Sequence, residues 1–541
     1  MLKDNENIGL YPYKAMLLDN VHGFIPINKA EYWLLQTPFF RRLHNIKQLG
    51  ANYLVFPSAK HTRLEHSLGC MHIASRIANK LLDDALSEKN SKLCAAMFNS
   101  CNEKAYRSFI QVARLTGLLH DIGHLALSHM VEPGINNVLA YSKEDTLIED
   151  EVAERLTDIY YKAVDFGLKL HEFYTYYFTE KLIEMAGEVP LENLDLLIEA
   201  SLSSLFPKIV CKRGCSTLEE LGLTKDAANI IRGVISNEIV DADRLDYLQR
   251  DAMATGIVYG NIDIDRLVYG IKLGYEKETD KLYLTLDMKS VPTLEDIFDA
   301  RYKMYKSVYY HHKSIAVGRS VEKFIYGLVD EWNKVKLDIY GDIDVAGFLD
   351  PKKLSEAIAE NLYYFDDNEF DTMVKISLNK GSKLLRRWAL SLLSQRELLP
   401  LSIIKRPEQV MIMASHILEK RGIPTHSENL KKLIKGIDKH GIEEEIKEST
   451  SVPSAKIDFY EEEIISEQKI METSDIFNWK ESMYIKGLVQ TGYIPVLYVY
   501  IYSDDMDDHI TLKNRIGDIR KKAVEILENF LEEKSRELFK R

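Results

Sequence analysis

The segment LLHDIGHLALSH, residues 118–129, sets the strongest condition on what this chain can fold into. His120, Asp121, His124 and His129 stand among apolar residues, where a polar group costs free energy unless a partner meets it. Any fold must therefore bring partners to these four side chains. Read as a helix, the spacing puts His120 and His124 on one face, with Asp121 one step round. Imidazole with carboxylate suits Zn, Mn or Fe, and Mg where carboxylate and water dominate. The plainer alternative is a helix end whose histidines cap carbonyls or face solvent. The H-x-x-x-H spacing also matches the zinc-protease helix, which needs Glu directly after the first His as general base. Asp121 stands there instead, and Gly123 weakens the helix, so the protease reading fails.

At 541 residues the chain is too long for one compact core, and two or three units are expected. Apolar residues recur at three- and four-residue spacing through 68–82, 108–120, 173–185 and 319–331, which predicts helices. KLYLTLDM (281–288) and YIPVLYVYIYS (493–503) read as strands. The polar stretch 435–456 reads as a mobile connection. The division expected is 1–330, where the unusual polar groups lie, and 331–541, a helical region finished by a small α+β part. The longest apolar run (493–502) is far shorter than a membrane span, and MLKDNENIGLYPYK carries no apolar leader. A cytoplasmic protein without a membrane partner is expected. The five cysteines are too few and scattered for a disulfide framework, so reduced thiols are expected; CKRGC (211–215) has no second pair nearby to complete a zinc site. A net charge of -13 counts against nucleic acid as the main partner. Handling phosphate then requires Arg, Lys and His gathered in one cleft.

Three further segments supply suitable groups. KHTRLEHSLGCMHIA (60–74) places His66 just ahead of an apolar helix, with Arg63 before it. LKLHEFYTYYF (168–178) supplies His171 and Glu172. In NEIVDADRLDYLQRDAM (237–253), Asp243, Tyr247 and Asp251 stack at four-residue steps, with Arg244 beside them. The sum is the pattern H…HD…D. With DNVHGFIPI (19–27), TPFFRRLHNIKQLGANYLVFPSAKHTRLEHSLG (37–69) and LEDIFDARYKMYKSVYYHHK (294–313), about the first 330 residues resemble the HD-domain phosphohydrolases. More narrowly, they resemble the deoxynucleoside triphosphate (dNTP) triphosphohydrolases, which include bacterial dGTPase-like enzymes and the animal enzyme joining a sterile-alpha-motif to an HD domain.

The resemblance implies a mainly α fold, a helical HD-domain core followed by a C-terminal helical region with a small α+β part. It implies that His66, His120, Asp121 and Asp243 hold one divalent ion (Mn, Fe, Zn or Mg), with additional Mg accompanying the nucleotide. The family reaction is attack of water on the α-phosphorus of a dNTP, releasing deoxynucleoside and intact triphosphate. His129 matches the proposed general acid, with Glu132 to orient it; the animal enzyme has Asp there. His124 matches a phosphate contact, and His171 with Glu172 a pair that positions water or phosphate, although the following FYTYY departs from the family's small polar run. Arg63, Arg244 and Arg301 match phosphate-contacting positions, Arg244 replacing a lysine with a planar fork. Gln48 and Asp251 match positions for the 3′-hydroxyl, Tyr247 lies along the sugar, and Leu49, Tyr309 and Tyr310 fall near base and sugar. The implied partners are a dNTP, further copies of the chain as a dimer, tetramer or hexamer, and an activating nucleotide between subunits. The family's guanine-reading positions hold Gln36, Arg41 and His44 here, so an activator of another base, or none, fits equally well. Relatives of this kind manage dNTP pools, and some bacterial ones restrict phage by draining them. Two alternatives stay open: another HD phosphohydrolase (nucleotidase, phosphodiesterase or nuclease) and a nucleotide-sensing protein. No G-Y-P signature of the cyclic-dinucleotide branch appears.

Overall fold

The computed structural model describes residues 7–87, 91–140, 149–210, 216–237, 240–276, 281–393, 396–406, 408–463, 482–485, 487 and 494–539. The chain opens with an antiparallel sheet of β1 (Asn7–Ile8), β2 (Tyr11–Asp19) and β3 (Gly23–Asn28). Its β2–β3 turn is closed by Asp19, whose carboxylate accepts from the N–H groups of Val21 at 2.9 Å and His22 at 2.8 Å. Helices dominate thereafter. The helix α1 (Arg63–Leu86) starts at a capping box in which Thr62 and Glu65 satisfy each other's backbone N–H groups. Its apolar stripe, including Met71, Ala74, Ile77 and Ala78, packs against α2 (Glu103–Leu119), which Asn102 caps. Around this pair stand α3 (Glu132–Ala140), α4 (Leu170–Ala186), α5 (Leu194–Leu205), α6 (Ala242–Thr255), α7 (Val291–Met304) and α8 (His312–Asp330). A hairpin of β4 (Ile271–Glu276) and β5 (Lys281–Leu286) interrupts them, and a C-terminal sheet has the order β6 (Leu401–Ser402), β8 (Val496–Tyr502), β7 (Lys456–Glu462).

The mainly helical class, the four helices and both strand segments stand as expected; four other expectations change. The cores do not divide at residue 330. The larger runs from Tyr11 through Leu399, and a smaller one gathers residues from Ile403 to Leu531. Strand β8 joins them: Tyr498, Tyr500 and Tyr502 face the first, while Leu497, Val499 and Ile501 face the second. The stretch 435–456 is ordered. Asp438 caps the helix Lys439–Thr450 through the N–H of Gly441, and Ile442 and Ile446 are buried. Cys94 and Cys101 are joined as a disulfide rather than reduced, Cys70 is a buried free thiol, and Cys211 and Cys215 lie outside the described residues. Among the described residues no helix is long and apolar enough to cross a membrane.

The fourth change concerns the opening motif. Helix α2 stops at Leu119, and His120 to His124 form a turn. The stop has a packing cause at Gly123, against which α4 lies. A Cβ there would sit 2.1 Å from the Thr175 nitrogen and 2.3 Å from the His171 oxygen. Thr175 completes the contact, its hydroxyl oxygen accepting from the Gly123 N–H at 3.0 Å and donating to the His120 carbonyl at 3.3 Å. Gly123→Ala is therefore expected to destabilise the protein by about 1–3 kcal/mol through overpacking, seen as a lower urea midpoint with an unchanged slope.

Candidate active site

The turn after α2 sends its side chains in two directions. His120 and Asp121 meet His66 of α1 and Asp243 of α6. His66 Nε2 lies 3.1 Å from Asp243 Oδ1 and 3.4 Å from Asp121 Oδ2, while His120 Nε2 lies 3.5 Å from Asp121 Oδ1 and 3.8 Å from Asp243 Oδ1. Cys70, one helical turn beyond His66, adds a thiol 3.6 Å from the His66 ring nitrogens. Ligand atoms of His66, Cys70, His120 and Asp243 all fall within 4.8 Å of one another. Asp121 stands at the edge, because Arg63 also binds its Oδ2.

These residues fit a divalent cation. The His120 ring gives Nδ1 to the carbonyl of Gly117 at 2.8 Å, and its Nε2 is buried without a hydrogen-bond partner. His66 gives Nδ1 to Asp246 at 2.7 Å. A carboxylate only accepts, so Nδ1 carries the proton and Nε2 is turned to the cluster as a lone-pair ligand. Burial opposes charge on His66, yet Cys70 and the carboxylates of Asp121, Asp243 and Asp246 hold its pKa well above the ordinary value. Positive charge is thus favoured at this spot, and a cation competes with a proton for it.

Behind His66 lies a relay that the motif reading missed. Asp246 is buried; its Oδ1 meets His22 Nε2 at 2.6 Å, and Arg250 grips both oxygens at 2.9 Å. Arg250 continues to Asp19 at 2.8 Å, so the β2–β3 turn is tied to a metal-ligand candidate. Burial disfavours the Asp246 charge, but Arg250, His22 and His66 hold its carboxyl well below the usual range. The signal was present in DRLDYLQR, where Asp243, Asp246 and Arg250 recur at three- and four-residue steps along one helical stripe.

His124 and His129 turn the other way and join Glu132 and His171. Glu132 Oε1 lies 3.0 Å from both His129 Nδ1 and His171 Nδ1. The His124 ring stacks on His171 with centroids 4.4 Å apart. Burial works against the Glu132 charge, but the imidazoles of His129 and His171 hold its carboxyl well below the ordinary value. Burial and Arg63 keep His124 well below its ordinary pKa, hence neutral. His124 Nε2 also lies 3.4 Å from Asp121 Oδ1, so the two clusters adjoin. Glu172 does not take part as expected; its carboxylate accepts from the Lys169 N–H at 2.8 Å and caps its own helix. Glu132 holds His171 instead.

The remaining expected residues form a polar and aromatic wall. Asp251 accepts from Tyr309 at 2.6 Å and meets His61 Nε2 at 2.7 Å; His61 was not anticipated. Burial and Asp251 push the Tyr309 phenol up, so it stays a donor. Tyr247 lies 6.2 Å from Tyr309, and Tyr305, also unanticipated, lies between Tyr309 and Tyr310 at 4.9 and 5.4 Å. Gln48 Oε1 is buried without a partner, and Leu49 packs half-buried on the core. Arg301 stacks on Tyr305, and the Nε atoms of Arg301 and Arg244 are buried and unpartnered. Arg63, expected as a phosphate contact, donates to Ser128 Oγ at 2.6 Å, to Asp121 and to the Gln48 carbonyl at 3.4 Å. Its role in this structure is to hold Asp121 and the loop behind it.

The relay yields a test. Asp246→Asn is expected to weaken divalent-metal affinity by about 10- to 100-fold. Competition against a chelator measures this, with circular dichroism to show that the fold persists.

Comparisons with known proteins identify the stretches that hold these residues. Residues 63–250 match the HD domain family, and residues 262–397 match the HD-associated region. The chain is 28% identical over 377 residues to an uncharacterized protein of Methanocaldococcus jannaschii, covering 68% of this chain and 64% of that protein. It is 29% identical over 336 residues to the human deoxynucleoside triphosphate triphosphohydrolase SAMHD1, covering 61% of this chain and 45% of the relative. The chain thus spans less than two thirds of the length of either relative. A crystal structure of a phosphohydrolase from Bacteroides thetaiotaomicron shares the fold, with a TM-score of 0.56 at 20% identity over 91% of this chain and all of the other. With an HD domain, its associated region and this fold, the chain belongs to the HD-domain phosphohydrolase family.

Proposed function

We propose that the protein is a metal-dependent dNTP triphosphohydrolase. One observation carries the reading: a cation cradle and a histidine–glutamate proton-donor pair adjoin through Asp121 and His124, 3.4 Å apart. His66, His120, Asp121 and Asp243 would hold the ion, which when bound supplies Lewis acidity toward the phosphoryl group and the attacking water. The chain's own groups do the rest. A triphosphate carries about four negative charges, and the unpartnered Nε atoms of Arg244 and Arg301 offer donors to it. Asp251, fixed by His61 and Tyr309, and the free Oε1 of Gln48 offer acceptors to a sugar hydroxyl. Tyr247 lies beside them and crowds a second hydroxyl on the ring.

Water forms a bond to the α-phosphorus while the bond to the 5′-oxygen breaks. The leaving oxygen takes a proton from His129 Nε2, whose Nδ1 is held by Glu132. The proton lost by water returns to His129 through solvent, to which that side chain is 61% exposed. A dNTP is the substrate in this reading, with homo-oligomer assembly and nucleotide activation as further parts of it; sizing with and without nucleotides tests these. Depletion of dNTPs against phage is one use of such an activity.

Incubation with each dNTP and Mn or Mg is expected to yield deoxynucleoside and tripolyphosphate; orthophosphate or dNMP as the product would sink the proposal. His129→Ala is expected to lower kcat by about 10²- to 10⁴-fold with metal content unchanged. The pH dependence has a definite sign. Partial burial lowers the His129 pKa below its ordinary value and Glu132 opposes that shift by stabilising the imidazolium; a general acid must be protonated, so activity falls as pH rises through that lowered pKa. Glu132→Gln removes the stabilisation and moves this falling limb to lower pH in a kcat profile.

A further inference from the structure

The loop that carries His129 is built against its own backbone preference. Leu127 and Ser128, which precede it, both have positive φ, at 58° and 56°. Neither is glycine, and such residues persist only where their surroundings over-determine them. Gly50 packs against this loop so closely that a Cβ there would lie 2.4 Å from the Leu127 oxygen. Most of the restraint comes from far along the chain, in segment 364–367 of the HD-associated region. Asp367 Oδ1 accepts from the Leu127 N–H at 2.7 Å, and the Phe365 carbonyl accepts from the Ala126 N–H at 3.0 Å. The other oxygen of Asp367 takes both the N–H of Lys47, at 3.1 Å, and its ammonium, at 3.0 Å. Arg42, fully buried, spans the same two segments by donating to the carbonyls of Tyr364 at 2.9 Å, Ile122 at 3.1 Å and His124 at 2.6 Å. Asp367 is itself fully buried, so its only outlets are these partners.

We infer that Asp367 is a positioning residue for catalysis: through Leu127 it holds the strained loop that points His129 at the leaving group. The inference rests on the general-acid reading of His129. Asp367 touches no metal-ligand candidate, so its loss should spare metal binding and impair proton donation.

The experiment compares two substrates. From a dNTP the deoxynucleoside leaves through its 5′-oxygen, an alkoxide that needs the proton, whereas bis(p-nitrophenyl) phosphate releases p-nitrophenolate, which does not. Asp367→Ala is expected to lower kcat on the dNTP by about tenfold or more, with KM changed less than about threefold. Metal content should stay at the wild-type value, and activity on the aryl ester should fall less than about threefold. Lys47→Met, which keeps the Leu127 bond but removes the ammonium that orients Asp367, should show the same split at smaller size. It decides the matter if Asp367→Ala does not fold. Equal losses on both substrates, or no loss on the dNTP, overturn the inference. His129→Ala, run alongside, separates the two readings. If it shows no split, the general-acid assignment falls and this inference with it. If it shows the split and the clamp variants do not, only the clamp falls.

Discussion

The hydrogen bond that His66 Nδ1 donates to Asp246 is the interaction on which the site's arrangement depends. It assigns the His66 proton to Nδ1 and so commits Nε2 to the cluster shared with His120, Asp121 and Asp243. It also joins three elements distant in sequence: α1, α6 and, through His22 and Arg250, the β2–β3 turn. A carboxylate buried this deeply is tolerable only with its lone pairs filled, and here two imidazoles and a guanidinium fill them. The hairpin that opens the chain is therefore part of the catalytic architecture although none of its residues faces the cleft in the motif reading.

Charge is sorted rather than averaged. The chain as a whole is acidic, at -13, yet the site gathers arginines as well as carboxylates. Around His66 the carboxylates favour a cation. Arg244 and Arg301 each keep a buried Nε–H without a hydrogen-bond partner among the described residues, and neutral His124 adjoins Asp121. A polyanion bridging a bound cation and those guanidiniums would satisfy both sides at once, which neither the acidic nor the basic half can do alone.

Much of this was legible in the sequence because ligand chemistry is local in residue type. His66, His120, Asp121 and Asp243 were found from spacing and resemblance, and the structure brings them together. What could not be read were the partners. Asp246 lies three residues from Asp243 on the same helical stripe, and only the crossing of α1 and α6 shows that it serves His66. The resemblance set Glu172 beside His171 as a pair that positions water or phosphate; its carboxylate instead completes the first turn of its own helix, where backbone N–H groups lack partners. The motif itself was misread as continuous helix, since the demand for close approach at Gly123 comes from α4, some fifty residues on. Asp367 carried no signal at all, because its partners, the backbone N–H groups of Leu127 and Lys47 and the Lys47 ammonium, lie more than 200 residues away in the chain.

The same logic bears on where the catalytic unit ends. Strand β8 is buried on both faces, with its tyrosines in the core that carries the site and its aliphatic residues in the C-terminal core. Each buried tyrosine removes roughly 150–250 Å² from water, so the shared strand binds the two cores more firmly than a surface contact would. Two of those tyrosines also reach back by hydrogen bond: Tyr498 donates to the Tyr310 carbonyl at 2.6 Å and Tyr500 to that of His312 at 2.8 Å. These carbonyls flank the turn between the aromatic wall and α8. The C-terminal region is thus continuous with the aromatic wall in its packing, and the geometry of Tyr309 and Tyr310 depends on a strand that begins some 190 residues later.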